Sequence, residues 1–260
     1  MPELPDVEGF RTVLRECGSR RRVSEVRVLD AGVLRGVGEE RLRRELEDRR
    51  LGDPWRHGKR LFVPVEGSDM TLVCHFGMTG SFRCCSLDEP VAAHDRVVLT
   101  LDDAQHLRYT DQRKLQGLQL TDKRGVERIL DRLGPDALAV PREEFQDVLA
   151  GKRGAVKSAL MDQSVIAGLG NLLSDEILWR ARINPRLPAR ELSDTAVRHV
   201  HTSMGRVLDT SVRARCVPPR RRWLTGRRED VDPVCPRCGA HLRSGRVAGR
   251  RTVWCPVCQS

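Results

Sequence analysis

A chain of 260 residues, 39% hydrophobic and only 4% aromatic, has room for one or two domains with a sizeable core. Its 46 Lys and Arg against 36 Asp and Glu leave a formal charge of +10, which favours polyanionic partners, nucleic acid first. No apolar run approaches membrane-spanning length and no basic-then-apolar leader opens the chain, which argues against a membrane span or secretory signal and for a cytosolic location. In that compartment nine cysteines point to metal or free thiols rather than a disulfide framework.

Taken in order, the chain opens with Met1-Pro2-Glu3. Val7, Phe10, Val13, Leu14 and Cys17 then fall at helical spacing over residues 6–17. Short alternating segments follow at Val23–Leu29, Arg60–Glu66, Thr71–Phe76, Ser81–Cys84, Arg96–Leu101 and His106–Thr110, with a charged helix expected over Arg41–Leu51. Repeated short strands with Gly and Asp turns suggest a β-sandwich with flanking helices over 1–125. Beyond Leu133-Gly134-Pro135 the periodicity is helical: a helix after Pro141, a stripe at Val156, Leu160 and Met161, Ser174 capping Asp175–Ala181, and Ser193 capping a longer helix with Val197, Val200, Met204, Val207 and Leu208 as its stripe. This helical domain is placed at 126–230. Its last part, Arg213–Arg228, holds seven arginines and Pro218-Pro219 and reads as a solvated linker, with a disordered arm along a nucleic-acid backbone as the competing reading.

Residues 231–260 carry Cys235-Pro-Arg-Cys238 and Cys255-Pro-Val-Cys258, two C-x-x-C knuckles 16 residues apart. Four thiolates so spaced suit one tetrahedral, structural zinc ion, with a β-hairpin between the knuckles that turns at Gly245 and Gly249. The hairpin's Arg243, Arg246, Arg250 and Arg251 suit phosphate contact. The other cysteines, at 17, 74, 84, 85 and 216, have no metal spacing and read as small buried hydrophobes. At the other end, removal of Met1 would leave Pro2 as a secondary amine with a reference pKa of about 8, able to form an iminium with an electrophilic carbon.

Pro2-Glu3-Leu4-Pro5, Gly58-Lys59-Arg60-Leu61, His75-Phe76-Gly77-Met78-Thr79-Gly80, Arg108-Tyr109-Thr110-Asp111, Lys157 to Gln163, Gly168-Leu169-Gly170-Asn171 and the zinc knuckles stand in one order. Together they resemble the formamidopyrimidine-DNA glycosylase/endonuclease VIII family across nearly the whole chain. The resemblance implies a multidomain α+β fold: a β-sandwich, a helix–two-turns–helix DNA-binding domain and a four-Cys zinc hairpin. It implies a monomeric, bacterial, nucleoid-associated enzyme acting on double-stranded DNA with damaged bases or abasic sites, excising the base and cutting the strand by β,δ-elimination. Pro2 would attack the sugar C1′, Glu3 would give acid–base help, and Lys59 would bind the phosphate beside the lesion. Met78, Arg113 and Leu115 would fill the hole left by the flipped base, while Lys157, Asn171 and Arg250 would contact the DNA.

The chain departs from the formamidopyrimidine branch at Asp6 (usually Glu), Gln112 (usually Pro), Leu115 (usually Phe) and Leu173 (usually Tyr). Residues 209–234 are Arg- and Pro-rich where the oxidised-purine enzymes carry a longer Gly- and Tyr-containing loop. These departures point away from tight 8-oxoguanine specificity. They also keep open an alternative, a catalytically altered paralogue that binds lesion or abasic DNA without excising a base.

Overall fold

The computed structural model describes residues 1–259. It comprises two compact units, Met1–Pro2 with Asp6–Asp131, and Glu3–Pro5 with the chain from Arg132 onward.

The first unit is built on α1 (Leu4–Cys17), β1 (Val23–Val28), β2 (Leu34–Arg35), α2 (Glu39–Leu46), β3 (Trp55–His57), β4 (Arg60–Pro64), β5 (Thr71–His75), β6 (Ser81–Ser86), β7 (Asp95–Leu101), β8 (Gln105–Thr110), β9 (Gly117–Thr121) and α3 (Lys123–Leu130). The strands form two sheets, ordered β1-β7-β8-β6 and β2-β9-β5-β4-β3. One core cluster gathers side chains of both, including Val26, Leu99 and Leu107 from one sheet and Leu61, Val63, Leu72 and Leu118 from the other. Val7, Leu14 and Cys17 of α1 join the same core, so the helix stripe read from the sequence is the face that packs. Strand β4 is buried on both faces: Leu61 and Val63 enter the core while Phe62 stacks on Trp55 with ring centroids 4.0 Å apart. The charged helix stops at Leu46, short of the expected Leu51, because Glu47 turns extended and Asp48 takes φ +62. Strand β9 pairs along β5 with Leu118 and Leu120 facing inward, an alternation lost in the sequence among Gln and Lys neighbours.

The expectation of free thiols fails at one pair. Cys17, at the end of α1, and Cys84, in β6, form a disulfide with Cα atoms 6.1 Å apart. The pairing spans 67 residues and has no local signature, since only the packed sandwich brings the two together. Cys74 and Cys85 are free and buried, as read from the sequence.

The second unit contains α4 (Arg142–Ala150), α5 (Val156–Met161), α6 (Asn171–Ala181), α7 (Asp194–Arg213) and a hairpin of β10 (Arg243–Val247) and β11 (Arg250–Trp254). The Ser193 hydroxyl accepts from the Ala196 amide and caps α7, whose expected stripe is buried. Helix α6 departs from expectation. It starts at Asn171, three residues before Ser174, and the Ser174 hydroxyl is buried inside the helix without a hydrogen-bond partner among the described residues. The β10–β11 register leaves Ala248 and Gly249 as a two-residue turn, both at positive φ, which matches strand twist. Gly245, expected in a turn, lies within β10. A Cβ there would meet the Trp254 ring at 3.3 Å and the Arg186 guanidinium at 2.8 Å.

The Arg213–Arg228 segment is a further correction. Trp223 and Leu224 are buried, the Thr225 amide donates to Glu176, and Arg228 donates to Asp175, so the segment is packed rather than a solvated linker or arm. Buried apolar anchors set between arginines escape a reading based on charge density. Among the described residues no helix is long and apolar enough to cross a membrane.

Opening the Cys17–Cys84 bridge by Cys84→Ser is expected to cost about 2–4 kcal/mol of unfolding free energy. Guanidinium unfolding without a chelator checks this, and an unchanged midpoint would show that the bridge adds nothing.

Candidate active site

In the second unit the loop Gly168-Leu169-Gly170 leads into α6, and Gly170, its N-cap, has no side chain to satisfy the first amides. The Glu3 carboxylate does so. Oε1 accepts from Leu172 N at 2.8 Å, and Oε2 accepts from Gly170 N at 3.0 Å and Leu173 N at 3.1 Å. Glu3 is 1% exposed and Leu4 fully buried, with Leu4 N donating to Gly168 O. The glycines are required by this approach. A Cβ on Gly170 would lie 2.3 Å from Glu3 Cδ, and one on Gly168, at φ +116, would lie 2.4 Å from the Leu4 side chain. Gln163 shapes the same loop, its amide donating to the carbonyls of Met161 and Leu169 and its oxygen accepting from Gly168 N. Three amide donors at the positive end of a helix fix the orientation of the Glu3 carboxylate. Asn171 is the first helical residue, half-buried, and its side-chain oxygen has no partner among the described residues.

Lys157 is not at a surface. Its side chain is fully buried, with Nζ 2.7 Å from Asp175 and donating to Thr252 Oγ1 and the Arg251 carbonyl of the hairpin. Arg228 completes the cluster at 3.0 Å from the other Asp175 oxygen. Burial pushes the Lys157 ammonium down and the Asp175 carboxyl up, while each charge draws its partner back. The buried Lys157 ammonium therefore ties α5 and α6 to the hairpin. Arg250, beside the hairpin turn, is exposed.

The Sγ atoms of Cys235, Cys238, Cys255 and Cys258 lie within 4.8 Å of one another, with Cys235–Cys258 at 4.0 Å and Cys238–Cys255 at 3.5 Å. Four sulfurs about 2.3 Å from one ion in a tetrahedron sit about 3.8 Å apart, so this all-thiolate set fits a structural zinc. Burial opposes ionisation of Cys235, but the amides of Arg237 and Cys238 and the Trp179 indole outweigh it and bring the thiol down to about 7.

In the first unit Lys59 follows Gly58, at φ +56, in the turn joining β3 to β4. Arg56, almost buried, braces this turn by donating to the Gly58 carbonyl and to Glu8 on α1 at 2.8 Å. Burial raises the Glu8 carboxyl, but Arg56 and Arg11 outweigh it and leave it lowered. Met78 is half-buried on the loop after β5, and Arg113 and Leu115 are exposed on the loop after β8, Leu115 by 51%. Neither Met78 nor Leu115 is buried in the core. Asp111 ties the loops together. It accepts from Thr79 Oγ1 at 2.5 Å and from Arg113 N at 3.0 Å, while Thr79 Oγ1 also accepts from Arg113 N. His75 is held neutral, lowered to about 4 by burial and by nearby Arg60 and Lys59, so its Nδ1 accepts from Gly77 N.

The structure thus gathers Glu3, Gly170, Asn171 and Gln163 in the second unit, and Pro2, Lys59, Met78, Arg113 and Leu115 belong to the first. Gln163 and Asp111 lie inside sequence motifs, and their roles come from hydrogen bonds that spacing does not show. Arg56, Asp175 and Arg228 were legible only as charges, because their partners lie far off in sequence.

Three family models match this chain: Formamidopyrimidine-DNA glycosylase N-terminal domain over 1–118, Formamidopyrimidine-DNA glycosylase H2TH domain over 133–217, and Zinc finger found in FPG and IleRS over 233–260. The formamidopyrimidine-DNA glycosylase of Streptomyces coelicolor is 33% identical over all of this chain and 98% of its own length. That of Moorella thermoacetica is 34% identical over 99% of this chain and 92% of its own. The Lactococcus lactis Fpg with abasic-site DNA superposes over the whole of both chains with a TM-score of 0.90 and 27% identity. The same protein with oxidised-pyrimidine DNA gives 0.90 and 28%, again over the whole of both chains.

Two outcomes test the local geometry. Gly170→Ala displaces the Glu3 carboxylate and is expected to cost about 2 kcal/mol or more through unsatisfied buried amides. Faster hydrogen exchange at Leu172 and Leu173 reads this directly, and Gly151→Ala, where a Cβ meets nothing within 4 Å, serves as control. Because the folded Glu8 carboxyl is lowered, its pairing adds stability above the unfolded value of about 4.3 that is lost as pH falls through the folded one. Glu8→Gln is expected to flatten this acid limb in pH-dependent unfolding; an unchanged limb would remove Glu8 from the account.

Proposed function

The chain belongs to the formamidopyrimidine-DNA glycosylase family, and we propose that it removes damaged bases from double-stranded DNA in base excision repair and cleaves the resulting abasic strand. The observation that carries this reading is Glu3, locked by three amides and covalently next to Pro2. Once Met1 is removed, the Pro2 nitrogen attacks C1′ of a flipped nucleotide and the base departs with its bonding pair; the Pro2 nitrogen then loses its proton, the C1′–O4′ bond breaks with O4′ taking up a proton, and an iminium forms. The held Glu3 anion stabilises the positive charge that develops at the sugar and at Pro2. Loss of a 2′ proton from the iminium expels the 3′ phosphate by β-elimination, and a second elimination expels the 5′ phosphate.

Lys59, on its braced turn, binds the phosphate beside the lesion. Asn171 contributes its side-chain amide to a phosphate, since three amides around the helix start already serve Glu3. Arg250 clamps the strand from the hairpin. Met78, Arg113 and Leu115 occupy the vacated stack, an exposed leucine and a guanidinium suiting wedge and hydrogen-bonding roles. Lys157 acts at a distance, positioning the hairpin through Asp175 and Thr252. Bound zinc would hold the hairpin's knuckles together and supply no step of the reaction.

Residues 216–232 support broad recognition of oxidised or ring-opened bases, since Trp223, Leu224 and Arg228 are committed to packing within their own unit. A DNA substrate supports action at the bacterial chromosome in the cytoplasm, as a monomer.

Borohydride reduction is expected to trap a covalent adduct between the Met1-processed protein and abasic-site duplex, absent in Pro2→Gly. A panel of ring-opened purine, 8-oxoguanine, thymine glycol, hydantoin and abasic duplexes reads the base released. Binding to all without adduct would transfer the protein to the non-excising paralogue reading, and an undiminished Pro2→Gly adduct would remove Pro2 from its role.

A further inference from the structure

At the C-terminal end of α6 the second unit carries a cavity of about 390 Å³, within the range of small-ligand sites. It lies about 15 Å, one helix length, from Asn171. Its walls are guanidinium and indole. Arg237 lies 4.4 Å over the Trp179 ring, and Arg180 lies 4.6 Å over the Trp223 ring. Arg220 approaches the other side of the wall, 6.0 Å from the Trp223 ring, and Arg222 is exposed at the rim. A second cavity of about 310 Å³ shares Arg180 and adds Arg182 and Arg206.

The charge here is not balanced. Arg180 is offset by Glu176, a fully buried carboxylate that also accepts from Thr225. Arg237 donates to the carbonyls of Trp179 and Arg180, which closes the helix terminus and leaves its own charge uncompensated. Among the described residues Arg182, Arg206, Arg220 and Arg222 form no ion pair, whereas the neighbouring Arg221 and Arg227 both pair with Asp230. A helix C-terminus welcomes cations, but a half charge does not account for so many permanent ones. Stacking on indoles fixes guanidinium planes before a ligand arrives and lowers the ordering cost of binding. Trp179 and Trp223 are about 95% covered, so the rings support the arginines and offer no face for a base.

We propose that this cavity is an oxyanion site for neighbouring phosphoryl groups, separate from the residues assigned to base excision and independent of that assignment. Free polyphosphate and a nucleic-acid backbone present the same chemistry, and the test separates them. Calorimetric titration of the zinc-loaded full chain would use inorganic pyrophosphate in one arm and an undamaged, 5′-phosphorylated single-stranded oligonucleotide in the other. R220A/R222A is expected to weaken pyrophosphate binding tenfold or more, with R222Q intermediate, while R124A/R128A, an exposed pair on α3, leaves it unchanged. Both residues of the first pair are exposed, and an unshifted melting temperature confirms folding. If pyrophosphate gives no heat and the oligonucleotide weakens in R220A/R222A, the site stands with a strand as its source. Equal affinity of wild type and R220A/R222A for both ligands, or no binding of either, overturns it.

Discussion

A helix capped by a glycine cannot satisfy its own first amides, and α6 borrows a carboxylate from residue 3 to do it. Buried donors left open cost about 1–3 kcal/mol each, so the three bonds to Glu3 far exceed a marginal preference. The constraint runs both ways. The chain must bring Glu3 inside the second unit, and Gly168 and Gly170 must stay without side chains to admit Leu4 and Glu3. The same contact explains why α6 begins earlier than Ser174 suggests.

The second constraint is a set of buried charges. Lys157, Asp175 and Arg228 form a cluster with two positive groups on one carboxylate, and the lysine's remaining donors go to the zinc hairpin. Breaking one member of such a cluster leaves an uncompensated charge in low dielectric, at about 3–5 kcal/mol. That cost fixes the hairpin against α5 and α6, and with it the base of the strand that carries Arg250. It also explains how a segment with seven arginines packs down: Arg228 supplies a required charge, and Trp223 and Leu224 supply the apolar anchors.

Much of this was legible in the sequence where the signal is periodic or local. The α1 and α7 stripes, most sandwich strands, the Ser193 cap and the paired knuckles all follow from spacing. What was not legible depends on partners distant in the chain. Cys17 and Cys84 meet only through sheet packing, Glu3 reaches an amide row 170 residues away, and Asp111 organises two loops through hydrogen bonds of its carboxylate. The burial of Lys157 against Asp175 and Thr252 is likewise invisible in its motif, because both partners lie elsewhere in the chain.

Helix α6 joins these threads through its dipole. Its positive end is met by a carboxylate from the chain itself, which leaves no vacant row of amides around the helix start. Its negative end is closed by Arg237 on the last carbonyls, and the surplus guanidiniums gather around that closure. The net charge of +10 is therefore not spread evenly as a general attraction for DNA. Part of it is buried as struts, part is paired with carboxylates, and part, such as Arg237 held 4.4 Å over the Trp179 ring, has no carboxylate partner among the described residues.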